Sequence, residues 1–363
     1  MNLQAISIKD VKEAPTLWQE IVDASTDGWI WHTWIAHEFS LCASQQFKAE
    51  DNSFFVYENG KVVGVVPLII QEKTIGNFTG HEAAYYSGFL PWPCFSAELD
   101  SDREASLELF AFAELERRAR EAGAGRITVR MTPPKNKGDE LDRLARVVSE
   151  HKYLYFPERS HIANVNPRAL AEARTHYDYK HFSPMFSVTV AEGNDVSDTL
   201  ENTYFELHVK DAGGQFRPRK SYTLQADMAR KGEGFYVVAH HTETSSIAGM
   251  ALISCYKDAA YYHSVAIDPA FQKLCVGYQL QCRTLEELLR RSIISYDLGP
   301  KEDISTWHIL SSDKKRGIAH FKDKIAHHQW RDVFQIEQYL DAAFFDAYLQ
   351  SRGTAVKQYF NLE

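Results

Sequence analysis

Ala83-Ala84-Tyr85-Tyr86 recurs in this chain as Ala259-Ala260-Tyr261-Tyr262, and in both copies a proline follows at the same distance, Pro93 and Pro269. Four identical residues carry little weight in a chain with 18 tyrosines, so the order of the surrounding elements has to carry the argument. Upstream of the first copy, Phe54 to Tyr57, the polar Glu58-Asn59-Gly60-Lys61 and the apolar run Val62 to Ile70 read as strand, tight turn and strand. Upstream of the second, Phe235 to Val238, a polar turn and Ile247 to Ser254 read the same way. Downstream, Leu107, Phe110, Ala111 and Leu115 share a helical face ahead of Gly123 and a strand from Arg126 to Met131. Tyr278, Cys282, Leu285 and Leu289 share another ahead of Ile293 to Leu298. The repetition predicts an α/β fold of two tandem domains built alike, 1–175 and 176–363, with a polar junction at Asn164 to Lys180.

Composition narrows the function classes. The chain has 363 residues, 44% apolar and 25% charged, a globular balance that excludes disordered, collagenous and coiled-coil classes. Forty basic against 49 acidic side chains leave a net charge of −9, so bulk charge does not draw it to a nucleic-acid backbone. The longest apolar run, Val62 to Ile70, is far short of the roughly 18 to 20 residues of a membrane span. Met1 to Asp10 lacks a basic region followed by an apolar stretch, so no signal peptide and a soluble cytoplasmic protein are expected, and Leu362-Glu363 reads as an appended tail. Five scattered cysteines without a CxxC, and 15 histidines without an HExxH, predict neither a disulfide framework nor a metal site. The patterns GxSxG and GxxxxGK[ST] are absent as well.

Between the repeats, Asp198-Thr199-Leu200-Glu201 has capping-box spacing and opens a helix through Leu200, Tyr204 and Leu207 that ends at Gly213-Gly214; a second helix is expected from Ser221 to Arg230. Two helices, a hairpin, a strand, a glycine-containing turn, a helix and a strand resemble the GNAT acyltransferase fold. Leu207-His208, Gly213-Gly214, Arg217-Pro218-Arg219, Tyr222, Ala260-Tyr261-Tyr262, Tyr296-Asp297-Leu298-Gly299 and Phe321-Lys322-Asp323-Lys324 resemble more narrowly the Fem-type branch, which has two GNAT domains in tandem. The resemblance covers nearly the whole chain and implies, in each domain, a mixed, mostly antiparallel sheet flanked by helices. The branch is similar both to sugar N-acyltransferases acting on nucleotide-linked amino sugars and to peptidoglycan-bridge aminoacyltransferases that use aminoacyl-tRNA.

The resemblance also implies residues. A coenzyme A thioester carries a pyrophosphate, which sits favourably on free N–H groups at a helix start. The GNAT pattern [QR]xxGx[GA] matches Gln272-Lys273-Leu274-Cys275-Val276-Gly277, with Cys275 in place of the first glycine. A β-carbon there restricts the approach of a pyrophosphate, which keeps an acyl carrier protein open as donor. Val265, Ile267 and Tyr278 complete the implied donor set. In the first repeat, Glu98, Asp100, Asp102 and Glu104 would repel phosphate, so no donor turn is expected there.

Aminolysis of a thioester needs a neutral amine, a route for its proton and stabilisation of the oxyanion. His263, with an ordinary pKa near 6.5, and Asp297, at the end of the neighbouring strand, are the expected proton acceptors, against the alternatives of a packed histidine and a turn-capping aspartate. Arg217 and Arg219, flanking Pro218, offer two guanidinium forks to acceptor phosphates; Lys322, Lys324, His208 and Tyr222 could add contacts, and the cluster could equally be a solvated basic turn. Tyr85 and Tyr86, opening the aromatic stretch to Trp92, could stack on a base or sugar, or be core.

The leading expectation is an N-acyltransferase moving an acyl group from acyl-CoA or an acyl carrier protein to a nucleotide-linked amino sugar for a bacterial surface glycan, without a metal. A tRNA-dependent aminoacyltransferase fits the same fold but would be helped by a basic docking face. A non-catalytic relative is the third class, hinted at by Cys275.

Overall fold

The computed structural model describes residues 2–96, 100–131, 140–302 and 310–359; Glu98 and Leu362-Glu363 lie outside them. Two compact units emerge, one comprising Met1–Glu158 and Asp332–Glu363, the other Arg159–Ile304 and Ser311–Arg331. The expected division into 1–175 and 176–363 is corrected on two counts. Ser160–Asn164 pairs with Ser295–Pro300 of the second unit, and Phe334–Tyr339 pairs with Arg126–Met131 of the first. The expected junction is no linker: Asn166 caps a helix from Pro167 to Thr175 whose Ala169 and Ala173 are buried in the second unit.

In the first unit a four-stranded sheet orders Leu3–Ser7, Phe54–Glu58, Lys61–Val66 and Cys94–Phe95. Its hairpin turns at Asn59 and Gly60, both at positive φ (50° and 81°), as a two-residue turn matched to strand twist requires. A second set of strands contains Ile69–Ile75 antiparallel to Phe78–Ala83, and Phe78–Ala83 parallel to Ala124–Met131 after a helix from Ser101 to Glu121. The helix start is closed to anions, because Asp100 accepts from Arg103 N at 2.8 Å and Asp102 and Glu104 fill the first turn.

Tyr85 is corrected from a stacking platform to core: it is 1% exposed and its hydroxyl meets His37 Nδ1 at 2.9 Å, with His37 Nε2 on Asp51 at 2.8 Å. Tyr86 beside it is half-buried, and Trp92 is buried with Nε1 donating to Glu108 at 2.8 Å.

In the second unit the strands, labelled within it, are β1 (Leu154–Asn164, which enters this unit at Arg159), β2 (Phe186–Ala191), β3 (Gly234–His241), β4 (Ile247–Tyr256), β5 (Ala259–Ile267) and β6 (Ser295–Pro300), in the sheet order β2-β3-β4-β5-β6-β1. Five helices matter to the site: α1 (Pro167–Thr175), α2 (Asp198–Ala212), α3 (Arg219–Arg230), α4 (Val276–Arg290) and α5 (Asp313–Ile325). One face buries Phe235, Val237, Ala251 and Ile253 against Leu280, Leu285 and Leu288 of α4; the other buries Tyr236, Met250 and Leu252 against Tyr204 of α2 and Tyr222 of α3. The cap of α2 is Ser197, one residue ahead of the expected Asp198, with Oγ accepting from Leu200 N at 3.2 Å.

Both units thus hold a hairpin, a helix and a strand returning parallel to the hairpin's second strand. The recurring tetrapeptide does not mark equivalent places, since Ala83 ends its strand whereas Ala259 begins β5. No helix among the described residues is long and apolar enough to cross a membrane.

Candidate active site

The central feature of the second unit is a splay. β5 pairs antiparallel with β4 from Ala259 to Ile267, but parallel with β6 only through Ala259↔Ser295, Ala260↔Tyr296 and Tyr261↔Asp297. Past Asp297, β6 stays with β1, where Gly299 faces His161 and Pro300 faces Ser160. One edge of β5 beyond Tyr261 therefore faces no strand among the described residues. The β4–β5 register shifts at the same level: Ile253 faces Tyr262 and Leu252 faces Ser264, so His263 is the extra residue of a β-bulge. A bulge re-aims its side chain, and His263 Nδ1 lies 2.8 Å from Ser254 Oγ.

At the far end of β5, a two-turn 3-10 segment from Pro269 to Leu274 leads through Cys275 into α4. Cys275 has φ 53°, the left-handed conformation the glycine of the motif would adopt without strain. Among the described residues no side chain caps α4, and its first turn carries no acidic residue, whereas Ser312 caps α5. The start of α4 is therefore open to an anion. Gly277 sits close to α5, since a β-carbon there would lie 3.3 Å from the Phe321 ring.

Val265 and Ile267 are half-buried on β5. Tyr278 is corrected: it is 7% exposed, stacked on His176 at 4.6 Å and edge-on to Phe321 at 5.0 Å, so its ring belongs to the core. Gln272 is exposed and donates to Asp211 at 3.2 Å; Asp211 also accepts from Ile267 N at 3.2 Å, and Lys210 pairs with Asp268 at 2.7 Å. The last turn of α2 thus pins the donor turn.

On the α2–α3 side of the sheet lies a buried cluster with polar side chains. Pro218 ends the extended approach to α3 and separates the two arginines. Arg217 turns inward: it is 5% exposed, its guanidinium lies 4.5 Å over the Tyr222 ring and Nη2 donates to Gln225 at 3.3 Å. Arg219 turns outward, pairing with Glu201 at 2.9 Å and covering Phe205 at 4.8 Å, which corrects the expectation of two forks on one ligand.

His208 is buried, edge-on to Tyr204 at 4.6 Å, with Nε2 3.0 Å from Ser264 Oγ. Tyr222 is fully buried. Burial, with the Arg217 cation adding to it, pushes both His208 and His263 down to about 3. His263 is therefore neutral but a weak base in this state, which corrects the expectation of an ordinary imidazole.

Asp297, 5% exposed, accepts from Gly299 N at 2.7 Å and from the Ser160 hydroxyl. Lys322 on α5 reaches the same turn, with Nζ 3.2 Å from where a β-carbon of Gly299 would sit. Burial lowers its pKa while Asp297 pulls it back up. Lys324 instead lies 5.9 Å over the Tyr278 ring. Behind them His161, fully buried, contacts Asp323 at 3.2 Å, which Lys301 holds at 2.8 Å.

Sequence reasoning missed Asp211, Ser254, Ser264, Tyr204, Tyr236 and Gln225. A buried hydroxyl in the otherwise apolar Ile247 to Ile253 run and its extension was the available signal for Ser254; the others depend on which helix face meets the sheet.

Residues 178–322 match the family model of the acetyltransferase (GNAT) domain. The second unit carries a GNAT acyltransferase domain. No curated protein sequence matches the chain. Among solved structures, the chain is similar to the crystal structure of FemX, with 11% identity, 95% of this chain and 99% of that one covered, and a TM-score of 0.61. A tandem GNAT protein from the clavulanic acid biosynthesis pathway shows 13% identity, coverage of 93% and 98%, and a TM-score of 0.52. The C-terminal domain of a putative lysylphosphatidylglycerol synthetase from Agrobacterium fabrum shows 16%, 94% and 96%, and 0.57. At such identities the likeness is one of fold, and that fold is the Fem-type tandem GNAT arrangement. Residues 178–322 thus form a GNAT-type acyltransferase domain, a class that takes an acyl donor and an acceptor amine. Among the described residues no group of His, Cys, Asp and Glu is arranged to hold a metal.

Proposed function

We propose that the second unit moves an acyl group from an acyl-CoA or acyl-carrier-protein thioester to the amine of a nucleotide-linked amino sugar, a step in building a bacterial surface glycan. The observation that carries this reading is the inward turn of Arg217 over the Tyr222 ring, toward the buried cluster of Tyr204, Tyr222, Tyr236 and His208. A buried guanidinium is suited to a phosphate on the acceptor far more than to a neutral amine. The uncapped start of α4 and the open edge of β5 support a thioester donor, with its pantetheine along Val265 and Ile267 and any pyrophosphate near Cys275 to Gly277. Lys322, at the mouth of the splay, can meet a second phosphate or the developing oxyanion.

The test is incubation of the full chain with a panel of acyl-CoA and acyl-carrier-protein thioesters and nucleotide-linked amino sugars, read by mass spectrometry for the acylated sugar. Turnover of one sugar nucleotide is expected. Tight, steeply salt-dependent binding of tRNA, without turnover of any sugar nucleotide, would overturn the reading in favour of an aminoacyltransferase.

A further inference from the structure

The last turn of α2 lies along the stretch of β5 whose outer edge meets no strand among the described residues. His208 Nε2 is 3.0 Å from Ser264 Oγ, Lys210 Nζ bonds Asp268 at 2.7 Å, and Asp211 accepts from Ile267 N through one carboxylate oxygen and from Gln272 Nε2 through the other, both at 3.2 Å. The bond to Ile267 is the one that bears on the donor. Asp268 donates its N–H to Ala248 O of β4 at 2.9 Å, and successive residues of a strand turn their backbone groups to opposite edges. Ile267 and Val265 therefore turn theirs to the edge along the splay, where β6 has left β5.

An arm that carries amides binds such an edge as an added strand would, through backbone hydrogen bonds. With its phosphate at the start of α4 and its thioester at the splay, a pantetheine arm passes Ile267 before it reaches Val265. The N–H it meets there is already bonded to a carboxylate. Among the described residues no cation pairs with Asp211, whose two oxygens are held by neutral N–H groups alone.

Resting on the donor placement above, we infer that Asp211 is a latch on the donor site: it occupies the strand-edge N–H that the arm needs, and the arm seats only by displacing it. The exchange leaves the Ile267 N–H partnered, because an amide carbonyl of the arm replaces the carboxylate, and the carboxylate passes to water at the exposed end of α2. Gln272, the first residue of the donor turn, is released by the same movement. The Lys210–Asp268 pair holds the turn to α2 while the latch is open. Thioester and spent thiol carry the same amides, so the latch weakens both equally. Binding that is uniform along the reaction adds nothing to turnover once the site is filled, whereas a thiol that leaves readily clears the site for the next donor. Asp211 thus sets the affinity for the arm without touching the reacting atoms.

The experiment is a calorimetric titration of the full chain with phosphopantetheine, the part common to coenzyme A and a carrier protein, so neither acceptor nor turnover is needed. Asp211→Ala is expected to tighten binding by about fivefold or more, with Asp211→Asn, a weaker neutral acceptor of the same shape, between it and wild type. Coenzyme A and a holo carrier protein titrated in parallel show which source the site takes, and the same ratio between Asp211→Ala and wild type is expected for either. Lys210→Ala cuts the neighbouring tie without freeing an edge group and should not tighten binding. A residue that only supports the turn would lose affinity on truncation. Equal or weaker binding in both Asp211 variants, folded by circular dichroism, or equal tightening in Lys210→Ala, overturns the proposal. Lack of binding to wild type and to every variant defeats the donor placement and this inference with it. Tightening in Asp211→Ala without acylation of any sugar nucleotide defeats the acceptor assignment alone.

Discussion

Gly299 donates its backbone N–H to Asp297 at 2.7 Å, onto the same carboxylate oxygen that receives the Ser160 hydroxyl. Asp297 therefore anchors the end of β6 at the splay, and its charge partly offsets the burial that lowers the pKa of Lys322. Asp297→Asn is expected to lower stability by about 1.5–3 kcal/mol, the range for hydrogen bonds to a charged group, and Ser160→Ala by about 1 kcal/mol. Urea unfolding measures both; midpoints equal to wild type would show the anchor to be idle.

Cys275 holds a left-handed conformation that glycine adopts freely. Cys275→Gly should stabilise the chain by about 0.5–1 kcal/mol, the relief of strain less the added freedom of the unfolded chain. If its β-carbon limits the approach of a pyrophosphate, the variant should also lower KM for acetyl-CoA while leaving KM for acetyl-pantetheine alone. An equal change for both donors would remove the β-carbon from any part in donor choice.

The opposite directions of Arg217 and Arg219 predict opposite phenotypes. Arg217→Ala should raise the acceptor KM by about tenfold or more, about 1.4 kcal/mol, with the donor KM unmoved. Arg219→Ala should leave both constants alone and cost only about 1 kcal/mol of stability, because the buried carboxylate of Glu201 keeps Arg230 at 3.0 Å and Thr223 at 2.7 Å when the partly exposed Arg219 is removed. Steady-state kinetics with each substrate varied decides; an acceptor defect confined to Arg219→Ala would reverse the assignment.

Acid should unfold this protein through two imidazoles. His208 and His263 have folded pKa values near 3, below the ordinary 6.5, so the unfolded chain binds more protons than the folded one. Their contribution is therefore complete above about pH 6.5 and falls as pH drops toward 3, by about 1.4 kcal/mol per pH unit for each imidazole. Denaturant titrations at pH 7, 5.5 and 4.5 should trace this slope, and it should be shallower in His208→Gln. A slope indifferent to that substitution would mean that His208 is charged in the folded state.

Local patterns were enough to read the turn at Asn59-Gly60, the second hairpin and the helix through Tyr278, Cys282, Leu285 and Leu289, because strand alternation, helical spacing and turn residues act over a few neighbours along the chain; the strand expected at Ile293 to Leu298 runs from Ser295 to Pro300, and the run Val62 to Ile70 divides between two sheets. They were also enough to bring His263, Asp297, Arg217 and His208 forward as candidates, since polar groups in apolar surroundings stand out in any sequence. Tertiary structure alone decided what these groups can do. Pro218 separates two adjacent arginines into one buried and one surface-paired residue, and a one-residue bulge in β5 sets the aim of His263. The interactions that set these groups come from residues remote in sequence: the Arg217 charge adds to burial in lowering the pKa of His263, and the Ser160 hydroxyl bonds Asp297. Likewise the tetrapeptide that drew attention to the repeat lies at a strand end in one unit and a strand start in the other. Identity of four residues constrains local propensity, whereas strand register is set by which faces can be buried together, and that is a property of the packed sheet.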